Sequence, residues 1–419
     1  MTAAAQETEP TGGTFASLLV PNYRLFAGGQ VVSLVGTWMQ RVAQDWLVLD
    51  LSGGSASALG LAAALQFSPT LLFSLWGGVL ADRLDKRRML VALQVAMGMC
   101  ALVLGLAVVT GAVALWHVYV LCALLGCFSA VDVPVRQAFV PELVGVGQVG
   151  NAVALNSLTF NVARIVGPSV AGLLIVAVGT GWVFLINAVS FVAVVAGLLR
   201  MDAARLVRDA PVPRAPGQLR AGLRYVRGRP DLMAVLTLVF CVSTFGLNFY
   251  LTLPLLTRNV FGLGAEAYGL LTTLLATGSV VGAVLAARRS RRPRLRFVTA
   301  SALAFGLLVV AVGLMPTYAL TGAVLVVAGF VALTFTTAAN SVVQLSVDPA
   351  MRGRVMGLYI LLFLGGTPVG APLLGLLAER FGGRAPLVLG GTVTALSVLV
   401  LGLVLARRNH TSRRRQRAG

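Results

Sequence analysis

Five polar side chains stand inside one apolar stretch near the start of the chain: Gln30, Gln40, Arg41, Gln44 and Asp45. Arg41 and Asp45 are four residues apart, a spacing that puts two side chains on one helical face where they can pair. A carboxylate beside a guanidinium can exchange a proton under the cation's influence, and a guanidinium can hold an anion. A second guanidinium, Arg164, and a second acid, Asp132 with Arg136 one turn on, lie in further apolar stretches. Ionisable groups are costly in hydrocarbon unless they pair or face a cavity, so each is a functional candidate. Asp45 is the first candidate for an exchangeable proton and Asp132 the second. Arg41 and Arg164 are candidate modulators or anion contacts, flanked by Gln40 and Gln44. A structural ion pair between helices is the alternative for Arg41 and Asp45, and a gate contact for Asp132. Asn248, Tyr250, Asn340 and Gln344 in the second half of the chain line a cavity or make interhelical hydrogen bonds.

The elements that must position these groups follow from composition. The chain has 419 residues, 58% of them hydrophobic and only 11% charged, and its mean hydropathy is +0.89. Soluble domains run about 45–50% apolar and about 25% charged. A bilayer-crossing helix needs about 20 mostly apolar residues. Apolar runs bounded by charge, Gly or Pro predict spans near 25–50, 57–81, 89–110, 114–135, 150–177 and 181–199. A second set lies near 232–257, 267–287, 296–315, 319–344, 353–378 and 384–406. The expected fold class is an all-α membrane protein of twelve transmembrane helices in two six-helix bundles.

The net charge of +19 comes from 33 basic and 14 acidic residues. Arg258, Arg380 and Arg384 alone fall in loops on one side, and Arg41 and Arg164 fall within spans. The remaining basic residues gather on the other side, which the positive-inside rule makes cytoplasmic. Both termini are therefore expected inside, and the charge needs no nucleic acid to explain it. The expected organisation is a cytoplasmic tail over 1–23, a first half over 24–200, a linker over 201–231, a second half over 232–406 and a basic tail over 407–419. The Arg-rich tail reads as a solvated inside anchor, with contact to anionic lipid headgroups as the alternative. Within the linker, Leu219, Leu223 and Val226 share a face beside Arg220, Arg224 and Arg227, which predicts an amphipathic helix on the inner leaflet.

The halves repeat weakly. Gly60 corresponds to Gly269, and Pro141 to Pro349, at nearly constant spacing. Six spans is an even number, so both copies start on one side and the repeat is parallel. Other chemistry is excluded by absence. Gly145 to Gly150 spells G-x-G-x-x-G, but no strand precedes it. The single lysine, Lys86, leaves no nucleotide-binding G-K-[ST] motif, and His117 and His410 make no metal or triad site. The cysteines Cys100, Cys122, Cys127 and Cys241 show neither disulfide nor metal spacing.

Gly77-Gly78-Val79-Leu80-Ala81-Asp82-Arg83-Leu84-Asp85-Lys86-Arg87-Arg88 joins the second and third spans. This order resembles the signature gating loop of the major facilitator superfamily, with Gly78, Asp82, Arg83, Lys86 and Arg87 matching. Asp85 stands where that family usually has Gly, a substitution expected to be tolerated because Asp visits the left-handed region. Gly167-Pro168-Ser169-Val170-Ala171-Gly172 resembles the antiporter motif found in the fifth helix of exporters of that superfamily. With the linker helix and the segments Pro134–Val144 and Pro349–Gly357, the chain is similar to the enterobactin-exporter and macrolide-efflux branch.

The resemblance implies the major facilitator fold and alternating access. It also implies proton-coupled export of amphipathic small molecules such as drugs, macrolides or siderophores across a bacterial inner membrane. The proton gradient is the energy source, with no cofactor, no enzymatic step and a monomeric carrier. An uptake carrier or facilitator, and a transport-inactive membrane sensor of the same fold, stay as alternatives.

Overall fold

A computed structural model describes residues 13, 15–207, 218–288 and 293–418. Residues 1–12 and 14 of the expected tail, the middle of the linker (208–217), loop residues 289–292 and the last residue, 419, lie outside the described residues.

The first half comprises α1 (Pro21–Leu51), α2 (Ala56–Arg83), α3 (Lys86–Val109), α4 (Leu115–Val144), α5 (Val149–Val178) and α6 (Thr180–Leu199). After the linker helix α7 (Gln218–Arg227) comes a broken span, α8 (Pro230–Cys241) and α9 (Phe249–Leu255), each followed by a π-helical turn. The second half continues with α10 (Ala265–Ala287), α11 (Leu295–Leu314), α12 (Tyr318–Ser346), α13 (Pro349–Phe381) and α14 (Ala385–Ala418). Among the described residues, eleven helical segments are long and apolar enough to cross a membrane, α8 to the end of its second π turn counting as one. The 31-residue α1 is a further helix of spanning length. Its polar residues, the candidates named above, lower its hydropathy.

Local chemistry sets the helix ends. Pro21, Pro230 and Pro349 stand at the first turns of α1, α8 and α13, where a missing N–H costs nothing. Gly145, Gly179 and Gly382 end α4, α5 and α13 with positive φ, a conformation that only Gly adopts freely. Asp85 is not left-handed: it sits extended at the N-cap of α3 and accepts from the Arg88 N–H at 3.0 Å. The family's glycine position is thus filled by a capping residue.

The two halves pack by the same scheme. In the first, α1 lies against α5 and α6, α2 against α4, and α3 against α4 and α6. In the second, the α8 span lies against α13 and α14, α10 against α12, and α11 against α12 and α14. The halves meet mainly through two equivalent contacts, α2 with α13 and α5 with α10. Glycines make both close. A Cβ on Gly60 would sit 2.7 Å from the Ala371 carbonyl oxygen, and one on Gly375 would meet the Ala56 oxygen at 2.7 Å. A Cβ on Gly172 would meet the Glu266 Cα at 2.8 Å, and one on Gly269 would collide with the Pro168 oxygen. The corresponding glycines Gly60 and Gly269 therefore occupy matching places in the two seams.

These seams lie toward the end bearing the 52–55 and 382–384 connections, the basic-poor end expected to be outer. Polar bonds close it further. Glu379 Oε2 of α13 accepts from the N–H groups of Ala56 and Ser57 at 2.9 and 3.1 Å and from Ser55 Oγ at 3.2 Å. It thus caps the N-terminus of α2 across the halves, where the helix dipole favours an anion. Arg258 pairs with Asp50, and Asn259 Nδ2 donates to the Gly54 oxygen at 3.0 Å.

The linker helix packs against the second half. Its Val226 is buried, Gly222 abuts the Arg354 backbone, and Tyr225 donates to Asp348 Oδ2 at 2.9 Å. Val226 turns toward α13 and α8, while Leu223 and the arginines 224 and 227 stay exposed.

Candidate functional site

Helix α1 carries Trp38, Arg41, Gln44 and Asp45 on a face shared with α5, α10 and α9. Asp45 is buried, and the fully buried Tyr268 of α10 donates its hydroxyl to Asp45 Oδ2 at 2.8 Å. Arg41 turns instead into rings, its guanidinium carbon 4.7 Å from the Tyr250 centroid, 5.0 Å from Phe67 and 5.7 Å from Trp38. Among the described residues the expected direct pair of Arg41 with Asp45 does not form. The phenol supplies the carboxylate's hydrogen bond, and the electron-rich ring faces stabilise the cation.

Helix α5 approaches α1 because Gly167 has no side chain: a Cβ there would lie 3.1 Å from the Val35 oxygen and strike Trp38. Two turns earlier, Phe160 meets Trp38 edge-to-face at 5.6 Å, and Arg164 follows on the same face. The Nε and Nη2 atoms of Arg164 are buried without a hydrogen-bond partner. Pro168 and Gly172 belong to the seam with α10, where Thr273 Oγ1 donates to the Ile165 oxygen at 3.0 Å and lies 2.7 Å from Ser169 Oγ. The antiporter-type segment thus packs α5 against both α1 and α10, one turn beyond Arg164.

The other candidates are placed less centrally. Gln44 donates to Gln66 Oε1 of α2 at 2.8 Å, beside the cluster. Gln40 faces away toward α6, accepting from Asn187 Nδ2 at 2.5 Å. Asn248 lies buried in the break of the α8–α9 span, where its amide donates to the freed carbonyls of Ser243 and Thr244 at 3.2 and 2.7 Å. Asn340 and Gln344 bond to each other on α12 at 2.8 Å and share no bond with the cluster. Asp132 is held within the first half, accepting from Gln94 at 2.8 Å and pairing with Arg136, whose Nη1 donates to Gln30 at 2.6 Å.

In the signature loop, Lys86 pairs with Glu142 at 2.5 Å. Arg87 donates to the Leu198 and Leu199 carbonyls at 2.6 and 2.7 Å, closing the end of α6. Gly78 falls within α2, and the side chains of Asp82 and Arg83 lie outside the described residues.

Sequence reasoning missed Tyr268, Phe67, Phe160 and Glu379. Tyr268 had one signal, its place beside Gly269 in the repeat, but nothing local marks a partner in the other half.

The sequence matches the transmembrane secretion effector family over residues 12–416. It is 26% identical to the enterobactin exporter of Shigella boydii, covering 92% of this chain and 91% of that one. It is also 26% identical to the staphyloferrin A transporter of Staphylococcus aureus, over 62% of this chain and 66% of that one. Its fold is similar to a bacterial homologue of the lysosomal transporter Spinster in an inward-facing, unoccupied conformation, with a TM-score of 0.68 at 15% identity over 92% and 95% of the two chains. A POT family transporter aligns with a TM-score of 0.72 at 13% identity over 92% and 96%. The matching halves, the paired glycine seams and the family match over nearly the whole length agree: this multi-pass membrane protein belongs to the transmembrane secretion effector family of major facilitator transporters.

Proposed function

We propose that the protein is a proton-coupled exporter of amphipathic small molecules in a bacterial inner membrane, with both termini cytoplasmic. The charge asymmetry supports that orientation, and with it the closed outer end describes an inward-facing carrier. The Gly167–Pro168 element and the enterobactin exporter among its relatives support outward transport.

The observation that carries the coupling is the bond from Tyr268 to Asp45, which joins an intramembrane acid to the seam between the halves. A hydrogen bond to a charged carboxylate is stronger than one to its neutral form. Charged Asp45 therefore holds the outer end shut until substrate arrives from inside. When the outer end opens, Asp45 is freed and takes a proton from outside. The carrier returns with that proton and releases it inside, one half rocking against the other.

Everted vesicles with an acidic lumen and a pH-sensitive dye test this reading. Siderophores, macrolides or cationic dyes should provoke proton release in the wild type and none in Asp45→Asn. Release that survives Asp45→Asn removes Asp45 from the coupling, and silence with every compound overturns antiport.

A further inference from the structure

We infer that the substrate is an amphipathic organic anion, its acidic group held between Arg41 and Arg164 and its flat apolar body laid on the surrounding rings. The inference deepens the export reading and rests on it for the identity of the site.

The charge balance of the cluster carries it. Arg41 and Arg164 bring two guanidinium groups, and among the described residues Asp45 is the one carboxylate within α1 and α5 near them, already engaged by Tyr268. Other carboxylates among the described residues are engaged elsewhere: Asp50 by Arg258, Asp132 by Arg136, Glu142 by Lys86 and Glu379 at the α2 N-terminus. Neither Arg41 nor Arg164 makes a hydrogen bond or ion pair among the described residues. Burying a guanidinium donor without an acceptor is costly, and in a membrane interior no bulk water relieves it. The two unpartnered Arg164 nitrogens present the fork that binds a carboxylate or phenolate in two-point fashion.

The apolar requirement comes from the rings. Trp38 is 7% exposed and Phe160 44% exposed although they touch, so Phe160 keeps a face open beside Arg164. Tyr250 stacks on Arg41, and Trp38 touches both Arg41 and Phe160, the residue one turn before Arg164, so the rings run from one cation toward the other. A flat molecule with a single acidic group satisfies the donors and the ring faces together. A cation of the same shape meets two like charges.

The test uses the full-length protein in nanodiscs and three probes of one shape: 2-naphthoate, 2-naphthylmethanol and 2-naphthylmethylammonium. Calorimetry against empty nanodiscs gives each Kd. Naphthoate should bind at least tenfold more tightly than the alcohol, and the ammonium should bind weakest. Arg164→Gln and Arg41→Gln should each abolish the preference for the anion. Arg164→Lys, which keeps the charge and loses the fork, should retain part of it and serves as the folded reference.

Equal or tighter binding of the alcohol or ammonium overturns the inference, as does a preference that survives both Gln variants or binding by none of the probes. Failure here is distinct from failure of the export reading. Proton release driven by cations would keep export and remove the anion site, whereas naphthoate binding without proton movement would do the reverse.

Discussion

Tyr268 and Asp45, 223 residues apart in sequence, share a 2.8 Å hydrogen bond that crosses between the two halves of the transporter in a fully buried position. Hydrogen bonds to charged groups contribute about 1.5–3 kcal/mol. Tyr268→Phe should therefore favour the outward-open state by about tenfold or more. Distances between spin labels at Thr110 and Phe381, in a background lacking the native cysteines, should lengthen on average. An unchanged distribution would show that this bond does not hold the outer end.

Glu379 is a second latch of different chemistry, because it acts on backbone N–H groups. Loss of a cap costs about 1 kcal/mol, so Glu379→Ala should open the outer end about fivefold in the same measurement. Glu379→Gln keeps an acceptor and loses the charge, and should fall between the wild type and Ala.

Asp132 is tied into the first half. Its partners Gln94 and Arg136 both belong to that half, and Asp132→Asn leaves Arg136 with a weakened partner. The variant should lose up to about 3 kcal/mol of stability, read as a lower unfolding temperature. Protons released per substrate in vesicles should stay at the wild-type ratio. A lost ratio with unchanged stability would instead make Asp132 the proton carrier.

The paired seams predict paired phenotypes. Gly60→Val and Gly269→Val each thrust a side chain into the opposing backbone, and overpacking of this kind costs about 1–3 kcal/mol. Both should prop the outer end apart by similar amounts. Gly402→Val, where a Cβ meets nothing within 4 Å, should leave the label distances unchanged.

Much of this architecture is legible in the sequence because apolar length and basic placement are local signals. The span expected near 150–177 is α5 at 149–178, and that near 296–315 is α11 at 295–314. The break in the seventh span was not legible. Gly246 and Pro254 read as ordinary residues of one helix, yet two π turns and the Asn248 amide rebuild the backbone there. The site was half legible. Arg41, Asp45 and Arg164 stand out because charge is rare in hydrocarbon. Their partners do not, because a tyrosine or phenylalanine in an apolar run carries no sign of which distant helix it will meet. The linker helix shows the same limit: its amphipathic face was readable, but the Tyr225–Asp348 bond to the second half was not.

The four seam glycines, Gly60, Gly172, Gly269 and Gly375, have a consequence for the work of the cycle. A surface that closes with side chains must freeze their rotamers each time, and long residues lose up to about 2 kcal/mol of rotamer entropy when ordered. At these four positions there is no χ angle to freeze. Repeated opening and closing there needs no side-chain reordering, and the two halves meet as stiff backbones whose fit is the same on every turn.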